Sequence, residues 1–104
     1  MFYDLEGNPT TRTRWILLFD DIQGRRIGLE RIGDVSVSTV WTGLDHSYES
    51  GGPPLLWETL VRRGGEMEEM YRYASREDAL TGHVRLVAEF RLLARLLQTS
   101  ERPP

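Results

Sequence analysis

The residues of this sequence that are best suited to chemistry are two histidines and two carboxylates. They are Asp45, His46, Glu58 and His83. Imidazole and carboxylate groups bind zinc and manganese, so these side chains predict a metal site if the fold brings them together. The spacing alone does not define such a site, because the patterns HxxxH and HExxH are absent. A second possibility is an acid–base pair, which needs Glu58 within hydrogen-bond reach of His46 or His83.

A structural interpretation of the same side chains stays open. His83 shares a predicted helical face with apolar residues, which is typical of a histidine at the edge of the core with one satisfied hydrogen bond. Asp45 is suited to cap a loop by accepting backbone hydrogen bonds. On this interpretation His46 packs against Tyr48 or Trp57. The sequence predicts no cofactor.

A polar stretch without periodicity covers residues 45–54 and reads DHSYESGGPP. Long loops in compact domains are often functional, and large amphipathic rings supply much of the energy at interfaces. Tyr48 is the aromatic residue that is best placed for exposure in this loop. We therefore predict a contact patch for another macromolecule here. Its residues are Asp45, His46, Tyr48 and Glu49.

The composition excludes several classes of enzyme. The chain has no cysteine, which removes thiolate nucleophiles, disulfides and cysteine-ligated metal sites. All 13 basic residues are arginine, so the lysine of a P-loop is missing. No G-x-S-x-G pattern surrounds a serine. The sequence identifies no catalytic residue, and it favours a binding module over an enzyme.

The net charge and the apolar segments indicate which partners and which cellular location to expect. The formal net charge is −3, which argues against general nucleic-acid binding, because that binding depends on a basic surface. The densest apolar stretch, residues 86–97, contains Glu89, Arg91 and Arg95 and is too short to span a bilayer. Residues 1–10 lack the basic and apolar regions of a secretory signal. We predict a cytoplasmic protein that does not contact a membrane.

Four strands are predicted in the middle of the chain. They cover residues 25–32, 35–44, 55–62 and 67–73. Turns of the hairpin type, Gly33-Asp34 and Gly64-Gly65, join the first pair and the last pair. In the second strand, β-branched and aromatic residues alternate with mostly polar ones, which predicts one packed face and one mostly polar face.

One helix is predicted on each side of the strands. The first covers residues 11–23 with Thr11 as its cap, and the last follows Ser75, whose side chain can cap it. A chain of 104 residues forms one hydrophobic core, so we expect a single domain over residues 1–100 and a loose tail over residues 101–104. The expected fold is α+β, a four-stranded antiparallel meander with two helices in a two-layer sandwich.

The last helix is apolar around much of its circumference. Leu92 and Leu96 lie outside the apolar stripe that would face the sheet. A helix with this pattern usually packs against more than one surface. We therefore expect a homodimer through the C-terminal helix.

Four short patterns occur in order along the chain. They are Trp41-x-Gly43-Leu44-Asp45-His46, Gly52-Pro53-Pro54-Leu55-x-x-Glu58-Thr59, Tyr73-x-Ser75-x-Glu77-x-Ala79-Leu80 and Gly82-His83. Together they resemble a family of small uncharacterised proteins encoded by bacteriophages, prophages and actinobacterial genomes. The resemblance runs from Gly7 to Val87. It implies a phage-type setting and the same order of strand, loop, strand and helix, and it brings no activity with it.

These observations predict a phage or prophage accessory protein that binds a macromolecule without catalysis. The expected partner is an unidentified host or phage protein. The alternative is a small metal-dependent enzyme or ligand-binding domain. Its residues would be Asp45, His46, Glu58 and His83.

Overall fold

The structure is a computed structural model that describes residues 1–45 and 52–101, with side chains to residue 98. Its elements are β1 (Phe2–Tyr3), β2 (Pro9–Thr10), α1 (Arg12–Asp20), α2 (Ile22–Arg25), β3 (Arg26–Ile32), β4 (Val35–Trp41), β5 (Trp57–Arg63), β6 (Glu66–Tyr73) and α3 (Arg76–Glu101). Within these ranges, no helix has both the length and the apolar character that crossing a bilayer requires.

The central feature is a four-stranded antiparallel sheet in the order β3-β4-β5-β6. Each hairpin turn contains glycine with a positive φ angle, 61° at Gly33 and 60° at Gly64, which most other residues adopt only with strain. Consecutive strands therefore pair as neighbours, in a meander. The predicted α+β class and the four-stranded antiparallel meander are confirmed.

The sheet has one covered face, which we call the inner face. Along β4 the buried residues alternate with partly exposed ones, and the antiparallel register places the buried residues of β5 on the same side. The α3 helix packs on this side with Ala79, His83, Leu86 and Val87. Trp41 and Trp57 lie in the core. The opposite side of the sheet is called the outer face.

The N-terminal segment packs at the end of the sheet where β4 finishes. Trp15 Nε1 donates to the carbonyl oxygen of Thr42 at 2.9 Å, and Trp41 Nε1 donates to the carbonyl oxygen of Asp4 at 3.1 Å. The Arg25 guanidinium lies 4.0 Å above the centre of the Phe19 ring. These contacts hold α1 and the β1–β2 arm against a second apolar cluster around Trp41.

The two largest boundary errors are at the end of the first helix and at the end of the second strand. The first helix does not continue to residue 23, because Asp21 leaves the helical conformation and its side chain accepts a hydrogen bond from Gly24 N at 3.0 Å, which starts α2. The second strand ends at Trp41 and not at residue 44, because the backbone turns at Gly43 with a φ of 68°. Thr11 does cap α1, since its Oγ1 accepts from Arg14 N at 3.2 Å.

Candidate functional site

The loop that carries the predicted contact patch is described only at its two ends. Asp45 Oδ1 accepts a hydrogen bond from Leu55 N at 3.1 Å, so this carboxylate joins the two sides of the loop base. His46, Tyr48 and Glu49 lie outside the described residues. The contact patch and the metal site both depend on His46, and they stay predictions.

Glu58 and His83 lie on opposite faces of the sheet. Glu58 is on the outer face, where its carboxylate is 3.5 Å from Arg72 Nε. His83 extends from α3 onto the inner face and is only 4% exposed. The two side chains therefore do not share a site. In residues 1–45 and 52–101, no group of three histidine, aspartate or glutamate side chains is arranged to hold a metal ion.

His83 instead belongs to a chain of hydrogen bonds that is buried except at Glu30, and we call it the His83 chain. Its Nε2 atom contacts Glu30 Oε2, and its Nδ1 atom is 2.7 Å from Thr39 Oγ1. Thr39 Oγ1 is in turn 2.6 Å from Thr59 Oγ1. The chain crosses from the edge strand β3 through α3 to the two central strands, and it links four elements of the fold.

The start of α3 places His83 over the sheet. Ser75 Oγ accepts from Asp78 N at 3.0 Å, as the predicted cap requires. Glu77 and Asp78 lie in the first turn, where the helix dipole stabilises negative charge. His83 then falls one turn after Ala79 and one turn before Val87, both of which are buried.

Two glycines allow the helix to approach the sheet closely at this point. A Cβ atom on Gly28 would lie 2.5 Å from His83 Nε2, and a Cβ atom on Gly82 would collide with the Tyr73 hydroxyl group. Gly28 is paired with Thr39 across β3 and β4. The absent side chain of Gly28 therefore leaves the space that the imidazole fills.

The partners of His83 decide where its protons are. An ionised Glu30 carboxylate only accepts, so Nε2 carries a proton and donates to it. In the neutral imidazole, Nδ1 accepts from the Thr39 hydroxyl, and Thr39 accepts from Thr59. In the charged imidazole, Nδ1 donates to Thr39, and Thr39 donates to Thr59. In both arrangements the two imidazole nitrogens and the Thr39 hydroxyl are hydrogen-bonded, as buried polar groups require.

The His83 chain resembles a carboxylate, histidine and hydroxyl catalytic set in composition, but its hydroxyl groups are not accessible. Thr39 and Thr59 are fully buried, so no substrate atom reaches either hydroxyl. Both imidazole nitrogens are already hydrogen-bonded inside the protein. A general base needs a free nitrogen within reach of the proton that it removes. The geometry supports a structural role, in which the chain holds α3 on the sheet.

Glu30, Thr39 and Thr59 were not predicted as site residues. The sequence does indicate that Thr39 is buried, because Thr39 falls between Val37 and Trp41 on the packed face of the second strand. A buried threonine hydroxyl needs a partner, and His83 was the nearest candidate on the predicted inner side of the last helix. Glu30 and Thr59 could not be assigned to the His83 chain without the register of the sheet, which the sequence does not specify.

The row of residues under His83 continues onto β6 as Tyr71, which pairs with Thr59. The Tyr71 hydroxyl donates to Glu69 Oε2 at 2.7 Å. This hydrogen bond, followed by burial and by the negative charges of Glu69 and Glu89, raises the pKa of Tyr71 above its ordinary value of 10.0. The neutral phenol is therefore the form that the folded state favours.

We expect this tyrosine to make stability depend on pH in the alkaline range. A pKa that is raised on folding contributes stability below the ordinary value of about 10, and the contribution is lost as the pH rises through the folded-state pKa. Tyr71→Phe should thus lower the free energy of unfolding at neutral pH, and the difference from the wild type should shrink as the pH rises past about 10. Urea unfolding at a series of pH values measures this. A difference that stays constant over the whole series would contradict the assignment.

None of the protein-family models, curated proteins or solved structures compared with this chain matches it.

Proposed function

We propose that this protein is a non-enzymatic macromolecule-binding module of the phage or prophage type, and that it forms a homodimer through the C-terminal end of α3. The observation that carries the proposal is a cluster of exposed leucines. Leu92, Leu93, Leu96 and Leu97 are between 49% and 61% exposed. Large exposed apolar clusters on soluble proteins usually mark interaction sites. We call these four residues the leucine cluster.

The leucine cluster lies where α3 leaves the sheet. The buried residues of the helix end at Val87, and within residues 91–98 every side chain except that of Ala94 is exposed. The sheet itself ends nearby, at the β3–β4 hairpin turn. The last turns of the helix therefore leave their leucines exposed, although these leucines continue the apolar pattern.

A groove of about 240 Å³ lies beside the leucine cluster. Ile32 and Val35 line it from the sheet, and Phe90, Leu93 and Leu97 line it from α3. A two-fold interface is its own partner, so it needs a ridge and a groove on the same surface. Leu92 and Leu96 of the leucine cluster provide the ridge, and the groove lined by Leu93 and Leu97 lies beside them, which supports a second copy of the chain as the occupant.

The charges of the helix are compatible with self-association. Successive residues of an α-helix are turned by about 100°, so Arg91 and Arg95 fall on the side of α3 that is opposite to the centre of the leucine cluster. Two copies can therefore bring their leucines together without placing like charges in contact.

We expect the wild-type protein to sediment as a dimer at micromolar concentration and to dissociate on dilution. Leu93→Glu combined with Leu97→Glu should give a monomer under the same conditions, because it places charge in an apolar interface. Sedimentation velocity over a dilution series measures both. The matched control is Leu80→Glu combined with Val84→Glu, since these residues are exposed apolar positions near the start of the same helix. The control should stay dimeric.

A wild-type protein that is monomeric at every micromolar concentration would contradict the proposed dimer. A control that dissociates as readily as the Leu93 and Leu97 variant would show that the contact lies elsewhere on α3. In both cases circular dichroism must first show that the variants are folded, which is expected because all four positions are exposed.

A further inference from the structure

The outer face of the sheet is organised in three rows that cross the four strands. The central row is Leu29, Ser38, Leu60 and Met70. The row nearer the hairpin turns is Arg31, Ser36, Arg62 and Met67. The row nearer the Trp41 end is Arg26, Val40, Glu58 and Arg72. The centre is thus largely apolar, and arginines flank it on both sides.

This face is open where the structure describes it. The α3 helix covers the inner face, and Leu29 and Met70 of the central row are each 39% exposed. Arg26, Arg31 and Arg62 are exposed as well. Exposed apolar side chains with charged residues around them mark an interaction site where they form a contiguous patch.

The outer face is basic on a protein that is acidic as a whole. Its three rows hold four arginines and one glutamate, while the formal charge of the chain is −3. The carboxylate of Glu58 lies 3.5 Å from Arg72 Nε, so these two charges largely offset each other. The net charge of the outer face is then positive and comes from the other three arginines. Guanidinium groups pair with carboxylates through parallel hydrogen bonds, which favours an acidic partner.

The lack of aromatic side chains in the three rows favours a protein partner over a nucleic acid. The three rows contain no phenylalanine, tyrosine or tryptophan. Proteins that bind single-stranded nucleic acids on a sheet stack the bases on such rings. Leucine and methionine side chains instead bind the apolar stripe of an amphipathic helix. The same positive charge also disfavours a second copy of α3 as the occupant, because the exposed end of that helix carries Arg91 and Arg95.

We infer that the outer face binds an acidic amphipathic helix of a partner protein, which lies along the central row. Strands are about 4.8 Å apart, so the row spans about 14 Å, which matches about ten helical residues. The flanking rows lie about 7 Å to each side, within reach of glutamates that border an apolar stripe. This inference rests on the proposed function, because it names the chemistry of a partner for a binding module.

The test uses a synthetic helical peptide with leucines at the spacing i, i+3, i+4 and i+7 and glutamates on both borders of that stripe. The protein is the Leu93→Glu and Leu97→Glu variant, so that self-association does not contribute to the signal. Fluorescence anisotropy of the labelled peptide should report binding that weakens as salt is added. Arg31→Glu combined with Arg62→Glu should weaken it by at least about tenfold.

Two matched controls make the test specific. Arg12→Glu combined with Arg14→Glu changes the net charge by the same amount at exposed positions of α1, and it should leave the affinity almost unchanged. A peptide with the same leucines and with lysine in place of every glutamate should not bind.

Three outcomes would overturn the inference. They are no binding of the acidic peptide, equal losses in the Arg31 and Arg12 variants, and tighter binding of oligothymidylate than of the peptide through Arg31 and Arg62. The last outcome would identify the face as a nucleic-acid surface. Failure here leaves the dimer measurement untouched, and failure of the dimer leaves peptide binding by the monomer intact, so the two proposals are judged separately.

Discussion

His83→Ala should lower the free energy of unfolding by about 3 kcal/mol, as expected for a buried side chain whose removal leaves both a cavity and unpaired polar groups. The imidazole is 4% exposed and contacts both Glu30 and Thr39. Without it, the buried Thr39 hydroxyl retains only Thr59, and Glu30 loses its donor. Urea unfolding measures the change.

A second substitution distinguishes the loss of the specific contacts of His83 from a general weakening of the core. Gly28→Ala should cost about 1–3 kcal/mol in the wild type, because the new methyl group meets the imidazole. In the His83→Ala background that neighbour is gone, so Gly28→Ala should be nearly neutral or slightly stabilising. Equal costs in the two backgrounds would mean that Gly28 does not make room for His83.

Trp41→Ala should have an even larger effect, about 4 kcal/mol, which lies in the range for loss of a buried aromatic side chain. Trp41 is fully buried, and it packs with residues of α1, of the β1–β2 arm and of α3. Its loss should therefore loosen the N-terminal segment as well as the sheet. Thermal and urea unfolding give the change in stability, and limited proteolysis reports whether residues 1–25 become accessible.

The control for Trp41 is Trp41→Phe. This variant keeps most of the buried ring and loses the hydrogen bond from Nε1 to the Asp4 carbonyl oxygen, so it should cost about 1–2 kcal/mol. If phenylalanine is as damaging as alanine, ring packing is not the main contribution of Trp41. If neither variant exposes residues 1–25 to protease, the N-terminal segment does not depend on this contact.

The sheet could be predicted from local signals because each of them acts over a few residues. The alternation in β4, the glycine turns at Gly33 and Gly64 and the serine cap at Ser75 all appear in the structure as expected. The end of α1 at Asp21 was not predicted, because it also depends on a local signal that another local signal conceals. The apolar spacing of α1 and α2 is continuous, and it hides the competing hydrogen bond between the Asp21 side chain and Gly24 N.

The contacts of the site could be predicted only in part, because they join distant parts of the chain. Glu30 and His83 are 53 positions apart, and Thr39 and His83 are 44 apart. One error was avoidable. Glu58 adjoins Thr59, whose position on the packed face follows from the alternation of β5, and neighbouring strand residues point to opposite faces. Glu58 was therefore unsuited to meet a histidine of the covering helix.

The molecule has a closed part and an open part. The His83 chain and the aromatic cluster fix α3 and the N-terminal segment to the inner face. The leucine cluster and the outer face remain exposed, and they lie on different surfaces of the molecule. A dimer through α3 would carry two outer faces, and two linked sites bind a partner with two acidic segments far more tightly than one site does.

Hydrogen–deuterium exchange at high and low protein concentration shows whether the leucine cluster is the contact between two copies, because it locates such a contact along the chain. We expect the backbone amides of residues 91–98 to exchange more slowly at high protein concentration, and the amides of β4 and β5 to exchange at the same rate at both concentrations. Exchange that does not depend on concentration anywhere in α3, together with a monomeric mass, would contradict the claim that the leucine cluster is a binding surface.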